Sequence, residues 1–153
     1  MTDWVEALAS HAAVNDLGTP FVDLFVGMMD DQGQPGAVAA FKEYKGTTRE
    51  TFTGSIDIPM LQVAVRAKSY KAAKDRIIAI RDLLKDIKNQ SVQGVHFLRV
   101  APDGWIKDID RDAAGRQMFT ADFEVWFDGT PGTPGEGGTV NWVVNDDGYM
   151  VNG

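Results

Sequence analysis

Between Ile58 and Ile87 the apolar residues change period, and few folds accommodate that change. Over Ile58–Arg66 they alternate, the period of a half-buried strand: Leu61, Val63 and Val65 share one face, Met60, Gln62, Ala64 and Arg66 the other. Pro59 falls at the start of this strand, where a missing N–H does least harm. From Ala73 the spacing becomes 4, 3, 4, 3 through Ile77, Ile80, Leu84 and Ile87. That stripe belongs to an amphipathic helix of about 18–19 residues, N-capped by Ser69 and lying against a sheet. Lys71 and Asp75, four apart, support its outer face, and its basic residues read as the solvated side. A strand feeding such a helix points to an α+β domain: a mixed, mostly antiparallel sheet packed by one long helix.

The flanking elements follow from local chemistry. Trp4, Val5, Leu8 and Ala12 recur at helical spacing behind a Thr2 or Asp3 cap, and Gly18 and Pro20 end the pattern, so a short helix covers 3–14. Phe21–Met29 predicts a strand with Val22, Leu24, Val26 and Met28 on one face. The turn cluster Asp30–Gly36 then predicts a hairpin to a second strand, Ala37–Tyr44. Lys45–Ser55, polar and rich in Gly and Thr, reads as a mobile loop extending to residue 57 and carrying Arg49 and Glu50. Beyond the long helix a three-strand meander is expected: Gly94–Val100, Trp105–Arg111 and Gln117–Phe127. Its turns are Ala101-Pro102-Asp103-Gly104 and Asp112-Ala113-Ala114-Gly115. In the last strand Phe119, Ala121, Phe123, Val125 and Phe127 face one way; Thr120, Asp122, Glu124 and Trp126 face water or a partner. These elements make one domain over 1–128. Residues 129–138, G-T-P-G-T-P-G-E-G-G, are a flexible linker. Residues 139–153 form a terminal arm or small hairpin in which Val140, Trp142 and Val144 alternate and Tyr149–Val151 returns. Such a hairpin is marginal alone and has to dock if ordered.

Charge is partitioned along the chain. Residues 1–41 and 117–153 each hold six acids and no Lys or Arg; all 15 basic residues lie in 42–116, and the net charge is −7. Acidic ends around a basic middle can pair within a fold or between copies, whereas a net acidic protein is a poor general DNA binder. Without cysteine there are no disulfides, thiol chemistry or thiolate metal sites. The two histidines, His11 and His96, belong to no metal or catalytic motif, and no phosphate loop or nucleophile elbow occurs. Asp108, Asp110 and Asp112 have the spacing that opens a calcium loop, but Ala113 and Phe119 stand where Gly and Glu are required. They read instead as an acidic edge that guards the strand or meets a charged partner. No enzyme activity, cofactor or metal is expected.

Two segments carry a resemblance. Pro59–Ala73, with Val65-Arg66 followed by Ser69-Tyr70 and a helix closing on Ile80-Arg81-Asp82-Leu83-Leu84, resembles the tail-terminator and minor capsid (neck) proteins of long-tailed bacteriophages. Gly115–Val125 is similar to the final strand of that family. The resemblance implies a structural virion protein. It would be a homo-oligomeric ring, usually a hexamer, that caps the head-proximal end of the tail tube, ends tube growth and presents a surface to the head. Its partners would be itself, the tube protein and the neck proteins, with DNA passing through unread. Assembly would take place in the host cytoplasm, with no membrane. Candidate interface residues are Arg49, Glu50, Asp108, Asp110, Asp112, Trp142, Val144 and Tyr149. Another neck or tube-like protein, and a small-ligand-binding α+β module, remain as alternatives.

Overall fold

The structure, a computed structural model, describes residues 3–20, 22–27, 37–51, 54–127, 142–144 and 150–152. Helix α1, Trp4–Val14, starts on a capping box. The Asp3 carboxylate accepts from the Trp4 amide (2.8 Å) and the Glu6 carboxylate accepts from the Asp3 amide (3.3 Å), satisfying donors that helix geometry leaves orphaned. Burial pushes both carboxyls above their usual range. Trp4, Val5, Leu8 and three small alanines on α1 are buried, so the helix lies close to the strands beneath it.

The main sheet has seven strands: β1 Leu24–Val26, β2 Val38–Thr51, β3 Gly54–Ala67, β4 Lys88–Val92, β5 Val95–Pro102, β6 Lys107–Arg111 and β7 Gln117–Phe127. Its order is β1-β2-β3-β7-β5-β4, with β6 also on β7. Helix α2, Tyr70–Lys85, packs on β3, β7 and β5, while α1 packs on β1 and β2. Both helices share one core with Leu61, Val63 and Val65 from β3 and Phe119, Phe123 and Val125 from β7. The predicted stripe on α2 is the buried one: Ala73, Ile77, Ile80 and Leu84 are fully buried, and Ile87 joins them just past the helix end. Ser69 caps α2 by accepting from the Ala72 amide at 3.2 Å.

Several expectations are corrected. β1 and β2 form no hairpin; they run parallel, with Leu24 beside Ala39 and Val26 beside Phe41. A parallel pair requires the chain to return to its starting end before pairing, which a local turn signal cannot specify. Phe21, Met28, Met29 and the Asp30–Gly36 turn lie outside the described residues. The expected loop over 45–57 is instead the far part of a long antiparallel ribbon, in which Thr47 pairs with Ile58, Arg49 with Ile56 and Thr51 with Gly54. Threonine is a good strand residue, so a polar, Thr-rich stretch can pair as a ribbon without apolar alternation. Pro59 therefore sits inside β3, opposite a bulge between Tyr44 and Thr47 where no ladder donor is needed. A Cβ on Gly46 would come within 2.8 Å of the Pro59 Cα, so only glycine lets the two backbones approach there.

The meander is also different. β5 and β6 do not pair with each other; both lie along one edge of β7, β5 beside Phe123–Phe127 and β6 beside Gln117–Thr120. β4, absent from the sequence reading, forms a hairpin with β5 through Gln93-Gly94. It is a polar edge strand, exposed from Lys88 to Ser91, and so lacks the apolar pattern that announces a strand.

Phe123 is fully buried where β3, β7 and α2 meet. Phe123→Ala is expected to lower stability by about 3–5 kcal/mol, read as a reduced urea midpoint with an unchanged slope. A loss under about 1 kcal/mol would contradict the packing described.

Candidate functional site: surfaces for assembly

Clustered chemistry is missing from the described residues. No group of three or more His, Asp or Glu there could hold a metal ion. His96 bridges the β4–β5 hairpin, with Nδ1 3.1 Å from the Ser91 hydroxyl and Nε2 3.0 Å from the Asn89 side-chain oxygen. His11 is half-buried in α1, and desolvation lowers its pKa. A cavity of about 200 Å³ on the helix-free face of the sheet is lined by Gly27, Ala40, Lys42, Gln62, Ala64, Arg66 and Met118. It is smaller than the roughly 300–1,000 Å³ of typical ligand pockets.

Asp108, Asp110 and Asp112 are not an alternating acidic edge. A bulge between Asp108 and Asp110 breaks the alternation, and Asp110 adopts φ 78°. Each carboxylate has a local task. Asp108 accepts from the Asp110 amide (2.8 Å) and from the Gln117 side-chain amide (2.6 Å). Asp110 accepts from the Arg111 amide at 2.9 Å. Asp112 organises the β6–β7 turn: one oxygen accepts from the Ala114 and Arg116 amides, both at 2.9 Å, and the other from Arg116 Nε at 2.8 Å. The Arg116 amide, then its guanidinium, hold the Asp112 carboxyl below the usual carboxylate range.

The helix-free face is not uniformly wet. Thr120 and Asp122 are buried at its centre. Asp122 accepts from Lys107 Nζ at 2.7 Å, a bond that raises the lysine pKa.

Three further features are candidate surfaces. The first is the β2–β3 ribbon. β1 pairs with β2 only as far as Phe41, and β7 pairs with β3 only from Met60 onward. Past those points both outer edges lack a neighbouring strand among the described residues, and Arg49 and Glu50 lie on this stretch. The second is the C-terminal hairpin, β8 Trp142–Val144 with β9 Met150–Asn152, registered Trp142 to Asn152 and Val144 to Met150. Tyr149 lies outside the described residues. The third was not found in the sequence. Trp105, 57% exposed, lies against Arg81 of α2, with the guanidinium carbon 4.7 Å from its ring centroid. The two residues are 24 apart with no shared periodicity, so only the fold brings them together.

A family model described as bacteriophage tail terminator protein matches residues 13–128, from the end of α1 through β7. Among solved structures, a chain of the virion of a native gene transfer agent particle has the same fold. It matches with TM-score 0.57 and 13% identity, covering 83% of this chain and 100% of that one. No curated protein matches.

The Asp112 turn carries a pH prediction. A carboxyl whose folded pKa is depressed contributes stability above its ordinary pKa and loses that contribution as pH falls through the folded value. Asp112→Asn should therefore melt below the wild type at neutral pH, with the gap closing below about pH 4. A gap independent of pH would contradict this role.

Proposed function

The chain belongs to the bacteriophage tail terminator family, and from that premise we propose that it forms a homo-oligomeric ring on the head-proximal end of a tail tube. The ring ends tube polymerisation and presents the surface to which the head attaches. The carrying observation is the family match over 13–128, which takes in every strand of the main sheet. As a member of that family the chain is a structural tail protein; the ring, its position and its partners are our reading.

Physical features support this reading. A closed ring needs two different complementary patches on each subunit, because its contacts are head-to-tail. The two sides of the molecule differ. One carries the long ribbon, whose outer edges have no neighbouring strand among the described residues; the other ends in the short polar strand β4. A two-stranded ribbon is marginal alone in water, and a neighbouring subunit would give its free edges strand partners or packing. The tube protein and the neck proteins are the other partners in this reading, and the virion is where the protein acts. With net charge −7 the ring would let DNA pass through without holding it.

Native mass measurement of the protein, alone and with tube protein, tests the ring. A single closed oligomer, hexameric in our reading, is expected; a monomer under both conditions would overturn it. Thr48→Pro probes the ribbon, since Thr48 pairs with Asp57 beyond the stretch flanked by β1 and β7. It should weaken assembly about tenfold while moving the melting temperature by less than about 4 °C. Unchanged assembly would remove the ribbon from the contact.

A further inference from the structure

Helix α2 buries one stripe and leaves another beside it. Tyr70, Lys74, Ile78, Arg81 and Lys85 recur at spacings 4, 4, 3 and 4, which places them on one face. The face is aromatic and cationic: Lys74 sits 5.6 Å from the Tyr70 ring centroid, and Trp105 from the β5–β6 turn lies on Arg81. Tyr70 is 46% exposed and Trp105 57%. Arg81 has no hydrogen bond or ion pair among the described residues, and its Nε is buried without an acceptor. A guanidinium over a tryptophan ring, with no acidic partner among the described residues, suits a partner carboxylate. Trp, Tyr and Arg are also the residues most enriched at interface hot spots.

The chain itself holds a segment of matching chemistry. Residues 128–153 contain Asp128, Glu136, Asp146 and Asp147 and no Lys or Arg, so every charge there is negative. Asp146 and Asp147 fall between β8 and β9, which pair with each other and with no strand of the main sheet. Such a hairpin needs a supporting surface. The point of departure is favourable. The Ile87 carbonyl, just past α2, accepts from the Val100 amide (3.1 Å), and Val100 pairs with Val125 near the end of β7. Strand β7 therefore ends near the Lys85 end of α2 in the same chain. Ten linker residues, 129–138, reach at most about 33–36 Å.

We propose that the Tyr70–Lys85 stripe, anchored by Arg81 and Trp105, is the docking surface for the acidic C-terminal hairpin of a second copy of this chain. The inference rests on the ring reading and adds a second, tethered contact to each subunit junction. Tethering makes this contact effectively intramolecular once the first has formed, so it strengthens the ring without a large interface.

The test uses full-length chains, which contain no native cysteine, so an engineered disulfide reports one contact only. Chains carrying Lys74→Cys and Gly148→Cys are mixed under mild oxidation. A disulfide heterodimer is expected at about tenfold the yield seen when Gly148→Cys is mixed with a control cysteine at Asn89 on the edge strand β4. Adding Arg81→Glu to the first chain should lower that yield about tenfold, and adding Asp146→Lys with Asp147→Lys to the second should restore it. Restoration also rules out misfolding as the cause of the loss. A yield indifferent to these charges overturns the proposal. So does a chain bearing both cysteines that closes only on itself, which would make its own hairpin the occupant. If no disulfide forms while the wild-type protein still assembles, the stripe serves a different acidic partner and the inference fails with the ring reading intact. If the wild type does not assemble, both fail.

Discussion

Strand β7 has to satisfy three neighbours at once, and the rest of the fold is arranged around that demand. Its eleven residues pair with β3 along one edge, and with β5 and then β6 along the other. Its inward side chains Phe119, Ala121, Phe123, Val125 and Phe127 are all buried. Each fully buried large side chain contributes roughly 1.5–3 kcal/mol of transfer free energy, so this one strand supplies a large share of the core. Phe127 also meets Trp4 edge-on (5.8 Å between centroids) and Phe97 (5.3 Å), tying α1 and β5 to the same strand.

Because β7 takes both β5 and β6 on one edge, the chain has to leave the ladder between them. The Asp103 amide donates to the Asp122 carbonyl at 2.8 Å, and Gly104, at φ 79°, turns the chain outward. That excursion sets Trp105 on Arg81. On the other side, β3 outruns β7 and continues with β2 as a ribbon. The two candidate surfaces therefore come from one cause: a sheet whose strands are unequal in length around a central strand that is fully committed. In the ring proposed above, unequal strands leave edges to be met.

The parts legible in the sequence are those whose burial imposes a period. β3, α2 and β7 were placed closely because one face of each is apolar and the other is not, and Ser69 and Asp3 mark their helices by cap chemistry. β4 left no such trace, since it is an edge strand exposed from Lys88 to Ser91, and the outer ribbon is polar and Thr-rich, without apolar alternation. The direction of β1 against β2 is a long-range property that local pattern does not encode. Among the candidate interface residues, Asp108 and Asp112 turned out to be bound up in a bulge and a turn, whose backbone amides and Gln117 a linear reading cannot place near them. Arg49 and Glu50 lie on a ribbon instead of a loop. The Arg81–Trp105 contact was beyond reach because it depends on the path of the β5–β6 turn.

Family membership and the concentration of unusual features at edges point to work done by surfaces. The proposed role is to stop a tail tube from growing. The most direct measurement is the distribution of tail lengths, by electron microscopy, in particles assembled without it. The account predicts tails that run past their normal length, with tube continuing where the cap should sit. Tails of normal length that merely lack heads would contradict it and make the protein a connector instead.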